Sequence, residues 1–255
     1  MSTGHSRPGR PAPGEIYRRV LLKLSGESFC RPGGTGVDAA ELSWIAEEIR
    51  DAQASGAQIA VVVGGGNLIR GAELARSGHV PQSVADHMGM LGTVINGLAL
   101  KEGLANVGVD ARVMSAIEIR AVAEPFIRGR ALRHLEKGRI VILAAGTGNP
   151  FFTTDTCASL RATELDCDVL LKATKVDGVY SADPKKDPTA TKFETLSFGE
   201  ALTRNLRVMD MTALAMCQEQ GLPVIVFDYK TRGNIRKVIE GSPLGTLVER
   251  AAVVV

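Results

Sequence analysis

The chain has 255 residues, 45% of them hydrophobic, and its 30 basic against 28 acidic residues leave a formal charge of +2. That is enough apolar material for a sizeable core in one large domain or two intimately joined lobes; it excludes a disordered chain, and the near-balanced charge gives no argument for a nucleic-acid partner. No apolar run reaches the roughly 18 to 20 residues that span a bilayer, and the opening MSTGHSRPGRPAPGE has no apolar core, so neither membrane insertion nor secretion is expected. Cys30, Cys157, Cys167 and Cys217 form no CxxC pair and the histidines are scattered, which leaves no zinc signature and suits a cytoplasmic protein with free thiols.

In chain order, residues 1–16 carry prolines, glycines and arginines with almost nothing apolar, and read as a disordered leader. Val20 to Leu24 is the first strand and runs into Ser25-Gly26-Glu27; Lys23 inside it is costly unless paired or facing a charged ligand. Asp38 and Glu41 form a possible capping box for a helix with Leu42, Ile45 and Ile49 on one face. Ile59 to Val63 is a second buried strand, ending in Gly64-Gly65-Gly66 before Asn67 and Arg70. Three glycines there imply an approach closer than a Cβ allows, either by phosphate, with Arg70 as a fork for it, or by the backbone of a tight turn. Asp86 to Leu104 is a helix with an apolar stripe of Met88, Leu91, Ile95 and Leu98. Its glycines Gly89, Gly92 and Gly97 lower helix propensity, and close approach of another helix would compensate, so it is a candidate subunit contact as well as a core element.

Arg112 to Ser115 reads as a short strand, followed by a helix that Pro125 closes and another with Leu132 and Leu135 before Gly138. Ile140 to Ala145 is a buried strand that breaks at Gly146-Thr147-Gly148-Asn149-Pro150, and a helix starts near Asp155. Strand, glycine loop and helix start in that order put polar groups and free backbone N–H groups at the carboxyl edge of a sheet, where an anion binds. Asp168 to Lys172 repeats the first strand's pattern of an apolar run ending in lysine. Turns follow as far as Pro188, then a helix from Asp210, a strand over Pro223 to Phe227 and a last helix around Ile235 to Ile239. The alternation predicts an α/β fold, a three-layer αβα sandwich with a mainly parallel central sheet.

Lys23, the glycine trio with Arg70, the 146–154 loop, Asp155 and Lys172 thus gather at one sheet edge. Cations with glycine loops and few candidate bases suit phosphoryl transfer, which needs positioning and neutralised oxygens. Neither G-x-x-x-x-G-K-[ST] nor a G-x-G-x-x-G opening a helix after the first strand is present, so this is neither a P-loop enzyme nor an evident dinucleotide enzyme.

Five segments in unbroken order, KLSGE (23–27), GGGN (64–67), DHMGM (86–90), GTGNPFFTTD (146–155) and KATKVDGVY (172–180), resemble the bacterial uridylate kinases of the amino acid kinase superfamily. The resemblance implies a single domain over about 17–250, with an acceptor-binding part to about 167 and an ATP-binding part from about 168. It implies transfer of the ATP γ-phosphoryl group to UMP with Mg²⁺, in a cytoplasmic homohexamer built as a trimer of dimers, with possible activation by GTP and inhibition by UTP. It assigns catalysis to Lys23, Lys172, Asp155 and Asp210. UMP would be met by Gly65, Arg70, Asp86, Thr147, Gly148, Asn149, Pro150, Phe151, Phe152, Thr153 and Thr154. ATP would be met by Lys23, Leu24, Ser25, Gly26, Gly66, Arg70, Thr174, Tyr180 and Asp183. No direct metal ligand is assigned. Asp155 would orient the two lysines, or a metal through water, and Asp210 is either a helix cap alone or also an electrostatic contributor. Two other readings stand beside this one. The first is a kinase of the same superfamily acting on a carboxylate or carbamate, against which Asp86 and Asp210 weigh. The second is a non-catalytic nucleotide- or oxyanion-binding protein on this scaffold, which would not need both lysines and Asp155.

Overall fold

The computed structural model describes residues 7 and 9–251, apart from 77, 185 and 207. In chain order the elements are β1 (Arg19–Leu24), a 3-10 turn (Gly26–Phe29), α1 (Ala39–Gln53), β2 (Gln58–Val63), α2 (Gly71–Arg76), α3 (Gln82–Asn106), β3 (Ala111–Ser115), β4 (Glu124–Pro125), α4 (Arg128–Glu136) and β5 (Ile140–Ala144). They continue with α5 (Thr154–Glu164), β6 (Val169–Thr174), β7 (Thr195–Ser197), α6 (Phe198–Thr203), α7 (Met211–Gln220), β8 (Val224–Asp228), α8 (Asn234–Ile239) and β9 (Thr246–Glu249). The strands form one nine-stranded sheet in the order β4-β3-β5-β2-β1-β6-β8-β9-β7. Every neighbouring pair is parallel except β8 and β9.

The continuous apolar runs become interior strands because both faces are covered. Val20, Leu22 and Leu24 of β1 enter one core with α1, α3 and α8, while Leu21 enters the other with α4, α5, α6 and α7. This is the expected αβα sandwich. Two short strands and a helix, β7, β9 and α6, carry too few apolar residues to stand out in the sequence.

Several expectations are corrected. No helix precedes Pro125: residues 116–123 form turns, and Pro125 belongs to β4 on the sheet edge, where its missing N–H breaks no ladder. Asp38 caps α1 by accepting from the N–H groups of Ala40 and Glu41, but the Glu41 carboxylate pairs with Lys230 and so does not complete a capping box. Residues 1–6 and 8 of the expected leader lie outside the described residues. Of the rest, Arg10 donates to the carbonyls of Ser242 (2.7 Å) and Leu244 (3.0 Å), tying this stretch to the body. The stripe on α3 divides: Leu91 and Ile95 are exposed, Leu98 packs against the core, and the buried face mixes Ala85, Gly92, Thr93, Asn96 and Gly97 with Met90, Val94, Leu100 and Leu104. Of the helix glycines, Gly89 has open space where a Cβ would stand, whereas Gly92 and Gly97 lie against other parts of the chain. A Cβ at Gly92 would meet the Gly65 carbonyl at 3.4 Å, and one at Gly97 would meet Val113 and Ile142 of the sheet.

Candidate active site

Strand alternation puts Lys23 on the same face as Leu21, and Lys172 on the same face as Leu170. The β1–β6 register then sets Lys23 directly opposite Lys172. Two ammonium groups side by side on a covered face repel unless an anion separates them. Asp155, in the first turn of α5, does so: Lys23 Nζ lies 2.9 Å from Oδ1 and Lys172 Nζ donates to Oδ2 at 2.7 Å, with all three side chains only 13–15% exposed. Oδ1 has no aligned hydrogen bond, so its contact with Lys23 is an ion pair. Lys172 also donates to the Val208 carbonyl at 2.5 Å. Burial pushes the Asp155 carboxyl up, but the two neighbouring cations outweigh burial and hold it below the usual carboxylate range. Burial pulls the Lys172 ammonium down, and Asp155 only partly restores it.

Thr153 caps α5 by accepting from Asp155 N (3.1 Å) and Thr156 N (3.2 Å), which fixes where the Asp155 side chain starts. The Thr153 hydroxyl in turn donates to Asp210, as does that of Thr156 at 3.1 Å. Asp210 is also the cap of α7, accepting from Ala213 N at 2.9 Å. Its carboxylate therefore ties together the N-termini of the two helices that cover the lysines. Cys157 is buried in the first turn of α5, where burial pushes its thiol up to about 12, so it is a packing residue and not a reactive thiolate.

The glycine turn after β2 divides into two parts. A Cβ at Gly64 would lie 2.7 Å from Gly26 N, and one at Gly65 would lie 2.6 Å from the Gly89 carbonyl, so these two glycines are required by backbone packing. Gly66 alone opens onto free space. It lines a cleft of about 390 Å³ with Gly65, Arg70, Asp86, Thr147, Phe152, Thr153 and Thr154. Most of the residues assigned to the acceptor thus share one cavity. Gly148, Asn149, Pro150 and Phe151 complete its loop. That loop is strained: Ala145 and Phe151 adopt φ values of 61° and 71°, in the left-handed region that non-glycine residues rarely enter. Helix α3 holds both ends, Thr93 Oγ1 accepting from Ala145 N at 2.7 Å and Asp86 Oδ2 from Phe151 N at 2.8 Å.

The donor side is less gathered. Leu24 is fully buried and its carbonyl accepts from Gly64 N, so it builds the turn and does not face a ligand. Ser25 precedes the 3-10 turn and Gly26 packs against Gly66 and Asn67. Thr174 ends β6, Tyr180 and Asp183 lie beyond it, and none of the three lines the cleft or the larger cavity beside it; the Tyr180 hydroxyl donates to Asp177 at 2.8 Å. That larger cavity, about 710 Å³, is lined by Gly66 and Arg70 together with Glu27 and Lys175. Sequence reasoning gave no role to Glu27 or Lys175, although each directly follows residues it had assigned. It also missed Thr156. No group of three or more His, Cys, Asp or Glu side chains able to hold a metal occurs among the described residues, and none of the described helices is long and apolar enough to cross a membrane.

Comparison with known proteins bears on what this edge does. Residues 18–228 match the Amino acid kinase family. The fold is similar to that of the UMP kinase from Bacillus anthracis, with 39% identity and a TM-score of 0.90 over 93% of this chain and 98% of that one. It is also similar to the UMP kinase from Ureaplasma parvum (36%, TM-score 0.86, 92% and 100% of the two chains) and the uridylate kinase from Archaeoglobus fulgidus (28%, TM-score 0.69, 90% and 99%).

Proposed function

The chain belongs to the amino acid kinase family, and on that premise we propose that it transfers the γ-phosphoryl group of ATP to UMP, giving UDP and ADP. The observation that carries this reading is the pair of lysines, in register on adjacent strands and bridged by buried Asp155, one residue from the wall of a glycine-lined cleft. A phosphate oxygen of UMP forms the new bond to the γ-phosphorus as the bond to the β,γ-bridging oxygen breaks, and ADP leaves with that electron pair. The attacking oxygen is already anionic, so no strong base is needed. Lys23 and Lys172 neutralise charge on the transferring group and the leaving oxygens, where one donor is worth roughly 3–4 kcal/mol. Asp155 keeps both cations in place, and Asp210 holds the two helix N-termini that frame them.

Asp86 accepts from the ribose hydroxyls of UMP, residues 147–154 frame its base and phosphate, and Arg70 grips phosphate. On the donor side Ser25, Gly26 and Gly66 face the triphosphate and Thr174, Tyr180 and Asp183 the adenosine. The carboxylates nearest the lysines, Asp155 and Asp210, are already engaged, which fits a Mg²⁺ held chiefly by triphosphate oxygens and water. When bound, it would neutralise phosphate charge. Release of ADP should be measured with ATP-Mg²⁺ against UMP, CMP, dUMP, acetylglutamate, aspartate and carbamate. The reading expects UMP to be preferred and dUMP to be poor, because the half-buried Asp86 carboxylate would lose the 2′-hydroxyl as a donor. Turnover of acetylglutamate or carbamate in place of UMP would replace it.

The enzyme works in the cytoplasm as a homohexamer, a trimer of dimers in which the outward stripe of α3, with Val84, Leu91 and Ile95, meets a second copy. We propose GTP as its activator and UTP as its inhibitor, on the family resemblance alone. Light scattering should give about six chains per particle; a fully active monomer would remove the interface.

A further inference from the structure

Strands β2, β1 and β6 are consecutive in the sheet, so the loops leaving their carboxyl ends are neighbours. Arg70 follows the first, Glu27 the second and Lys175 the third. Glu27 is 3.3 Å from Arg70 Nη2 through Oε1 and 3.0 Å from Lys175 Nζ through Oε2. The turn that carries it is fixed from below, since Ser28 and Phe29 are buried and Gly26 packs against Gly66 N and Asn67, while the Glu27 side chain itself is 49% exposed. All three charged groups line the 710 Å³ cavity with Gly66, and Arg70 also lines the cleft assigned to the acceptor.

We infer that Glu27 is a resident stand-in for phosphate: its carboxylate bridges Arg70 and Lys175 across the cavity and must be exchanged for nucleotide phosphate oxygens, so that it loosens the grip on the polyphosphate product. This rests on the phosphoryl-transfer reading above, which places phosphates beside Arg70. The chemistry of the exchange is like for like, one anionic pair of oxygens replacing another on the same two cations. The hydrogen bond and charge of Lys175 keep the Glu27 carboxyl below its ordinary range, so the competitor is charged at neutral pH. With Glu27 the three side chains sum to one positive charge; without it they present two to an arriving polyphosphate. A cavity edge that lacked this carboxylate would hold ADP longer. Glu27 touches no reacting atom in this scheme and is a positioning residue.

The test is the affinity of full-length protein for ADP by titration calorimetry, in the parent, Glu27→Gln and Glu27→Asp. Glutamine keeps the shape and removes the charge, and should bind ADP roughly three- to ten-fold tighter, the scale of two exposed ion pairs. The gain should shrink as salt is raised, and aspartate should stay near the parent. The KM for ATP should fall with no rise in kcat. A merely structural role would leave ADP affinity where it was. If the parent binds ADP and Glu27→Gln binds it equally or more weakly, the exchange is overturned and the phosphoryl-transfer reading survives. If the parent fails to bind ADP at all, both fall together.

Discussion

Among the carboxylates that bridge two cations, Asp155 and Glu27 sit in opposite environments. Asp155 joins Lys23 and Lys172 under the N-terminus of α5, with its side chain 14% exposed; Glu27 joins Arg70 and Lys175 at the cavity mouth, 49% exposed. In the buried bridge, removing the anion strands two ammonium groups in a poorly solvated site, so geometry is enforced and exchange with a ligand is expensive. In the exposed bridge, water and salt screen the same attractions to the few tenths of a kcal/mol typical of surface pairs, so the contact can open. The same arrangement of charges therefore serves as a fixed frame in one place and a replaceable contact in the other.

Asp155→Asn attacks the fixed frame and carries the largest expected effect: about 3–5 kcal/mol of stability, the range for breaking a buried ion pair, with loss of turnover in whatever fraction folds. Urea unfolding measures it, and a change below about 1 kcal/mol would mean that the bridge is as replaceable as an exposed surface pair. Acid should act in the same direction. The Asp155 carboxyl is held below its unfolded value, so its contribution is in place above pH about 4 and drains away as pH falls through the folded value. A smaller effect is expected at Asp210. Removing its cap and its links to Thr153 and Thr156 in Asp210→Ala should cost roughly 0.5–2 kcal/mol. Asp210→Asn should melt near the parent while turning over more slowly and with altered Mg²⁺ dependence, because the charge beside Lys172 is gone. Parental kinetics in Asp210→Asn would reduce the residue to a cap. The smallest effect belongs to the exposed bridge: Glu27→Gln should leave stability within about 0.5 kcal/mol of the parent, and a larger loss in the same urea experiment would erase the contrast with Asp155.

How much of this could be read from the residues depended on how local the signal was. A lysine closing an apolar strand is visible twice, at Lys23 and Lys172, and the start of a helix near Asp155 is visible beside Thr153. That the two lysines share a face and a register is not, because it depends on β1 pairing with β6 across the whole acceptor half. The glycine trio was legible as a close approach, but only the folded chain separates Gly64 and Gly65, which make room for protein backbone, from Gly66, which opens onto the cleft. Helix α3 shows a related limit. Periodicity marks an apolar face without saying what it faces: Leu91 and Ile95 point outward, Leu98 packs against the core, and the inward face mixes Gly92, Thr93, Asn96 and Gly97 with Met90, Val94 and Leu100. Pro125 suits a helix end and a sheet edge alike, and only the strand order decides between them. Glu27 and Lys175 escaped notice since an exposed charge in a loop has many ordinary uses.

The proposed reaction depends most on Lys23, which, held by Asp155, would stabilise a phosphoryl group in flight to UMP. Its most direct test is the rate of UDP formation from UMP and ATP-Mg²⁺ by Lys23→Ala at saturating substrates, on protein shown by thermal melting to be folded. The account predicts a loss of roughly 10²- to 10³-fold, the scale of one preorganised donor to transition-state charge. A folded Lys23→Ala protein that makes UDP at close to the parental rate would contradict it.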